Sequence, residues 1–111
     1  TGRWVIPKGW PIAGLSPALS AAREAWEEAG VKGTPAEAAL GAYAYAKRMA
    51  RGGAQPCVVE VYPLEVSKLS NDFPEKGQRR RRWMRPEKAA QRVDEPELAA
   101  ILAAFARTHP R

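Results

Sequence analysis

Arg23-Glu24-Ala25-Trp26-Glu27-Glu28-Ala29-Gly30-Val31 is the stretch on which the fold turns. Wound as an α-helix, it sets Glu24, Glu27 and Glu28 at i, i+3 and i+4, so three carboxylates fall on one face within about one turn. Like charges at that spacing repel. A helix that keeps them is either a solvated surface helix or one wall of a cation site. Oxygen-only ligands suit hard cations, and Mg²⁺ takes one or two carboxylates while keeping waters and accepting phosphate oxygens. Glu24 and Glu28 can share such an ion. Glu27 then stands on the flank, to complete the cluster or to take a proton from a metal-bound water. Arg23, four residues before Glu27, can align that carboxylate through an ion pair.

Outward from this core the punctuation is local. Ser16-Pro17 supplies an N-cap and an N1 proline and Gly30 a stop, which predicts a helix from about Pro17 to Ala29. Leu19, Ala22, Trp26 and Ala29 recur at helical spacing as its apolar stripe, and Trp26 reads as core. Upstream, Arg3–Ile6 reads as a short strand and Pro7 to Leu15 as a loop. Downstream, Leu40–Tyr45 and Cys57–Val66 read as strands joined at Arg51-Gly52-Gly53 in a hairpin. Ser67–Gln78 reads as a loop, Arg81–Met84 as a further strand with Trp83 in the core, and a helix begins near Pro86. Asp94-Glu95-Pro96-Glu97 reads as an N-cap with an acid at N3, opening an amphipathic helix with Leu98, Ile101, Leu102 and Phe105 on one face. The mixture predicts an α+β (mixed α/β) architecture.

At 111 residues, 1–111 fits a single domain, and 45% hydrophobic with 27% charged residues argues against wholesale disorder. No apolar run reaches the roughly 18 residues of a membrane span and no leader pattern opens the chain, so the reading is cytoplasmic, with no membrane partner. Cys57, the lone cysteine, reads as a small core residue. His109, beside Pro110 at the chain end, reads as exposed. The net charge is +6, and Lys68–Lys88 holds eight Lys/Arg against three Asp/Glu, so most of the excess sits there. Such a patch suits an anionic partner, whether a phosphorylated small molecule or a nucleic acid; a solvated basic loop is the plain alternative.

Gly9, followed after thirteen residues by Arg23 to Val31, closely resembles the signature of the Nudix hydrolases, G-x5-E-x7-R-E-U-x-E-E-x-G-U. Gly9, Arg23, Glu24, Glu27, Glu28, Gly30 and Val31 match, and Ala25 fills the first apolar position. Leu15 stands where the pattern has its first glutamate, which bears on loop geometry and on activity. Gly2 to Pro7, Glu28 to Thr34 and Arg81-Arg82-Trp83-Met84 ahead of Pro86-Glu87-Lys88-Ala89-Ala90 extend the resemblance toward the branch with the diphosphoinositol polyphosphate and dinucleoside polyphosphate hydrolases.

That resemblance implies an α/β/α sandwich with a mixed sheet, and hydrolysis of a diphosphate bond in X-diphosphate-Y compounds with Mg²⁺ or Mn²⁺. It implies Glu24 and Glu28 as metal ligands, Glu27 as base and third candidate ligand, Arg23 aligning it, and the Lys8 carbonyl as a further metal contact. Arg79 and Arg81 become candidates for the substrate's phosphates, with Arg80 and Arg82 alternating away if the stretch is extended. Trp10 either lines the pocket or packs beneath it, and Glu75 is a remote candidate ligand or base. Strands ahead of Arg3 belong to the family pattern, where this chain has only Thr1 and Gly2; the expectation is a domain lacking its N-terminal strands, with an open edge that a homodimer would complete. The competing reading is a Nudix-fold module that binds a ligand or RNA without turnover.

Overall fold

A computed structural model describes residues 3–109, in the order α1 (Pro17–Ala29), β1 (Val31–Pro35), β2 (Gly41–Arg48), β3 (Ala54–Val61), β4 (Leu64–Leu69), α2 (Pro86–Arg92) and α3 (Pro96–Thr108). The α+β class is as predicted. Strands pair as two antiparallel couples, β1 with β4 and β2 with β3. The described residues gather into two compact units, one from Ile6–Ala39 with Tyr62–Trp83, the other from the residues through Val5, Leu40–Val61 and the residues from Met84 on.

In the first unit, the Ser16 side chain accepts the Leu19 N–H at 3.2 Å and Pro17 follows, which satisfies one donor and spares another at the start of α1. Gly30 ends the helix at φ 69°, a left-handed conformation that glycine adopts without a Cβ penalty. The chain passes straight into β1, which pairs with β4 from Val31↔Leu69 to Pro35↔Leu64, with an irregularity between Lys32 and Gly33. The sequence does not announce β1, because Gly33 and Pro35 both weigh against a strand.

Helix α1 packs on β1. Its buried residues are Ala18, Ser20 and Glu28, which corrects the expected stripe: Leu19 is 46% exposed, and Leu19, Ala22 and half-buried Trp26 line an open groove of about 370 Å³ with Leu15 and Val31. The reason lies in the loop before α1, whose backbone donors need acceptors. Ile12 N–H donates to Ser20 Oγ at 3.1 Å, and Lys8 N–H to Glu28 Oε1 at 3.4 Å, which draws the polar side of the helix inward.

In the second unit, β2 and β3 form the predicted hairpin, in register from Gly41↔Val61 to Arg48↔Ala54, with Met49 and Gly53 closing the turn. Tyr43, Cys57 and Val61 are its buried residues, and burial pushes the Tyr43 hydroxyl up to about 12, so it stays neutral. Cys57 is core, as expected. Helix α3 lies on β2: Ile101 meets Gly41, and Glu97 Oε1 accepts the Ala44 N–H at 2.8 Å. Leu98 is wholly buried. His109 is exposed, with its ring stacked on Phe105 at 4.1 Å.

Four further expectations are corrected. The predicted Cys57–Val66 strand is two strands, β3 and β4, parted at Tyr62-Pro63, and β4 runs on to Leu69 inside the expected loop. Arg3–Ile6 contributes only an isolated parallel bridge, Trp4 to Val93; Gly2, where the quoted resemblance begins, and Thr1 lie outside the described residues. Arg81–Met84 is not a strand and Trp83 is 61% exposed. The residue capping α3 is Glu95, without a side-chain cap bond, because Glu95 pairs with Arg3 at 2.9 Å and Asp94 with the same guanidinium at 3.7 Å.

Leu98→Ala removes the one large side chain that is fully buried among the described residues, at a cost of about 2 to 5 kcal/mol. Urea denaturation is expected to show a lower midpoint with an unchanged slope.

Candidate metal and phosphate site

The acidic face of α1 divides in the structure. Glu28 lies about 40° round the helix axis from Glu24, and Glu27 about 60° in the other direction. Glu24 and Glu28 share a hydrogen bond, while Glu27 turns to Arg23 at 3.9 Å. Among the described residues, no three His, Cys, Asp or Glu side chains gather closely enough to hold an ion by themselves. The predicted convergence of three carboxylates is therefore a pair with a neighbour.

Glu28 is the buried member, 8% exposed. Burial, followed by the hydrogen bond with Glu24, pushes its carboxyl up to about 7; Arg79 and the Lys8 N–H pull the other way. Two carboxylates this close share a proton when no cation separates them. Gly9 sits directly over the partner, where a Cβ would overlap the Glu24 carboxylate. A larger residue there would require the Glu24 carboxylate to move aside. Lys8 reaches the pair through its N–H; the carbonyl contact implied by the resemblance stays a proposal.

The chain after β4 closes over the C-terminal end of α1. Glu75 N–H donates to the Glu27 carbonyl at 2.9 Å and Ser70 N–H to the Gly30 carbonyl at 2.9 Å. Arg81 Nη1 donates to the carbonyls of Ala29 at 2.5 Å and Ser70 at 2.7 Å, Nη2 donates to Asn71 Oδ1, and the guanidinium lies over the Phe73 ring. Orphan carbonyls at a helix end attract cations for both hydrogen-bonding and dipole reasons. Arg81 is thus placed as a clamp on the helix. Nothing local in the sequence pairs it with Ala29 or Asn71.

Arg79, two residues earlier, faces the acidic pair. Its Nη1 is 3.8 Å from Glu28 Oε1 and its Nε is 3.0 Å from Glu75 Oε1. Glu75, a remote candidate in the sequence, comes to the site through this arginine. Arg80 and Arg82 are exposed, as is Arg79, and with no strand here the conditional alternation does not apply; Trp10 is 56% exposed in the loop ahead of the helix.

A family model described as NUDIX domain matches residues 1–105, nearly the whole chain. The chain belongs to the Nudix family. The match runs through both compact units and supports a pyrophosphohydrolase of the Nudix type. No curated protein matches the chain. No helix among the described residues is long and apolar enough to cross a membrane. Nudix enzymes generally use divalent metals such as Mg²⁺, and the donor set here fits one: two carboxylates in contact, the inner one burdened by burial, are the groups that a hard cation relieves.

Because the folded Glu28 carboxyl titrates near 7 and the unfolded one near 4.5, its contribution to stability is present below about 4.5 and is lost as pH rises through about 7. Metal-free protein, kept so with a chelator, is expected to lose up to about 3 kcal/mol of stability from this group between these limits. Glu28→Gln flattens that part of the profile, which thermal or denaturant melts across pH 4 to 8 will show.

Proposed function

We propose that this Nudix protein hydrolyses a diphosphate bond in a compound of the X-diphosphate-Y type with Mg²⁺, or Mn²⁺, held at Glu24 and Glu28. The diadenosine polyphosphate or diphosphoinositol polyphosphate type is the substrate reading favoured by the sequence. The observation that carries the proposal is the Glu24–Glu28 carboxyl pair under Gly9, with Glu28 buried and its proton held up to about 7. When bound, the ion would supply charge neutralisation for the phosphates and acidify a water.

The chain's own residues divide the remaining work. Glu24 and Glu28 give up their shared proton and present oxygens. Glu27, with about a third of its side chain exposed and Arg23 at 3.9 Å, is the base in this reading, accepting a proton from an attacking water. The pair is loose, so the Glu27 side chain is able to turn. Gly9 keeps the loop backbone against Glu24 without a side chain intervening. Arg79 supplies positive charge for a phosphate beside the pair, and Trp10 is an exposed ring for the body of the substrate. Arg81, occupied by α1, contributes by keeping the helix end in place rather than by the phosphate contact read from the sequence.

The test is turnover on a panel of diphosphate compounds with Mg²⁺, with Glu27→Gln alongside. A loss of about 10²-fold or more in kcat with little change in KM is expected for that substitution. Unchanged turnover in Glu27→Gln removes the base assignment. A protein that binds metal and diphosphates but turns over none of them is the ligand-binding module instead.

A further inference from the structure

Arg79 holds two carboxylates with two different nitrogens, Nη1 toward Glu28 at 3.8 Å and Nε on Glu75 at 3.0 Å. Glu28 is nearly buried and Glu75 has a 26% exposed side chain, whereas the arginine side chain is 43% exposed. The cation therefore rests across the mouth of the acidic pair, with one side open to solvent. It stands in the coil between β4 and α2, so no ladder of backbone hydrogen bonds fixes it there.

A permanent structural bridge would be expected to bury its cation and to use the bidentate fork on one carboxylate. Arg79 does neither. Its contact with Glu28 is long, and it divides itself between two acids. Arg81, two residues on, shows what a fixed arginine looks like in this molecule, with three oxygen acceptors and a ring beneath it.

Resting on the metal reading above, we propose that Arg79 is the resident counter-cation of the acidic pair, and that it leaves Glu28 for a substrate phosphate when a divalent ion takes the pair. Before the ion arrives, Arg79 offsets part of the repulsion between Glu24 and Glu28. Once the ion is in place, a guanidinium within about 4 Å of the same oxygens is repelled by it. A diphosphate bound beside the pair would offer Arg79 two anionic oxygens of one phosphoryl group, which match its fork better than one distant carboxylate oxygen does. Empty-site repulsion and substrate grip are thereby assigned to one side chain, and the metal and the substrate become coupled ligands.

The coupling has an unusual signature, since losing the arginine improves one ligand and harms the other. Mn²⁺ binding is measured by electron paramagnetic resonance at pH 7.5, and methylenediphosphonate, a non-hydrolysable diphosphate, is titrated onto the Mn²⁺-loaded protein by calorimetry. Arg79→Gln is expected to bind Mn²⁺ alone about fivefold more tightly and the diphosphonate about fivefold or more weakly. Arg80→Gln removes the same charge from the exposed neighbouring position and is expected to change neither. Arg79→Lys, which keeps the charge but not the reach to both acids, is expected to fall between, and it serves in place of Arg79→Gln if the latter does not fold. Equal Mn²⁺ affinity in wild type and the Arg79 variants overturns the counter-cation proposal and leaves the metal site standing. Equal shifts in Arg79→Gln and Arg80→Gln overturn it too, by reducing it to general surface charge. Failure of every variant and of wild type to bind Mn²⁺ overturns both this proposal and the metal site itself.

Discussion

The end of α1 is a row of carbonyls without helical partners, and their satisfaction organises the unit that holds the acidic pair. Glu27 and Gly30 carbonyls accept backbone N–H groups from Glu75 and Ser70, and Ala29 accepts Arg81. Each bond costs the chain little by itself, but leaving such groups buried and unmet costs about 1 to 3 kcal/mol apiece. Meeting them requires the segment after β4 to fold back over the helix. That fold-back is what brings Glu75 and Arg79 to Glu28, so a backbone requirement at the helix terminus assembles the side-chain chemistry in the same turn.

The other side of the pair is assembled by the same need in the opposite sense. The loop before α1 has donors to place, and it places two of them on Ser20 and Glu28. A serine and a glutamate are consequently buried where the apolar pattern pointed to Leu19 and Trp26. The helix is held by polar closure on one face and leaves much of its apolar face open. Burying Glu28 in this way gives its carboxyl the high affinity for a proton that a bare pair of surface acids lacks.

Legibility followed locality. Helix α1 could be read to the residue because Ser16, Pro17 and Gly30 act on their immediate neighbours, and the hairpin because its turn and its β-branched and aromatic runs are contiguous. The family was legible for a related reason: Gly9 and the glutamates stand at fixed spacings in the chain, and Gly9 meets the Glu24 carboxylate closely in the fold. Strand β1 was hidden behind Gly33 and Pro35, and the break at Tyr62-Pro63 behind an apolar run continuous in sequence. Arg81 read as a substrate contact because arginine runs look alike until their acceptors are known, and those acceptors sit 10 to 52 residues away. The division of the acidic face followed from helix geometry, but which half would be buried depended on where a loop put its N–H groups.

The elevated Glu28 carboxyl also makes the site a source of acid. At neutral pH a substantial fraction of molecules carry a proton there, and any cation that occupies the pair must expel it. The heat of loading would then contain the ionisation heat of whatever buffer receives that proton, and would change from one buffer to another while the affinity at fixed pH did not.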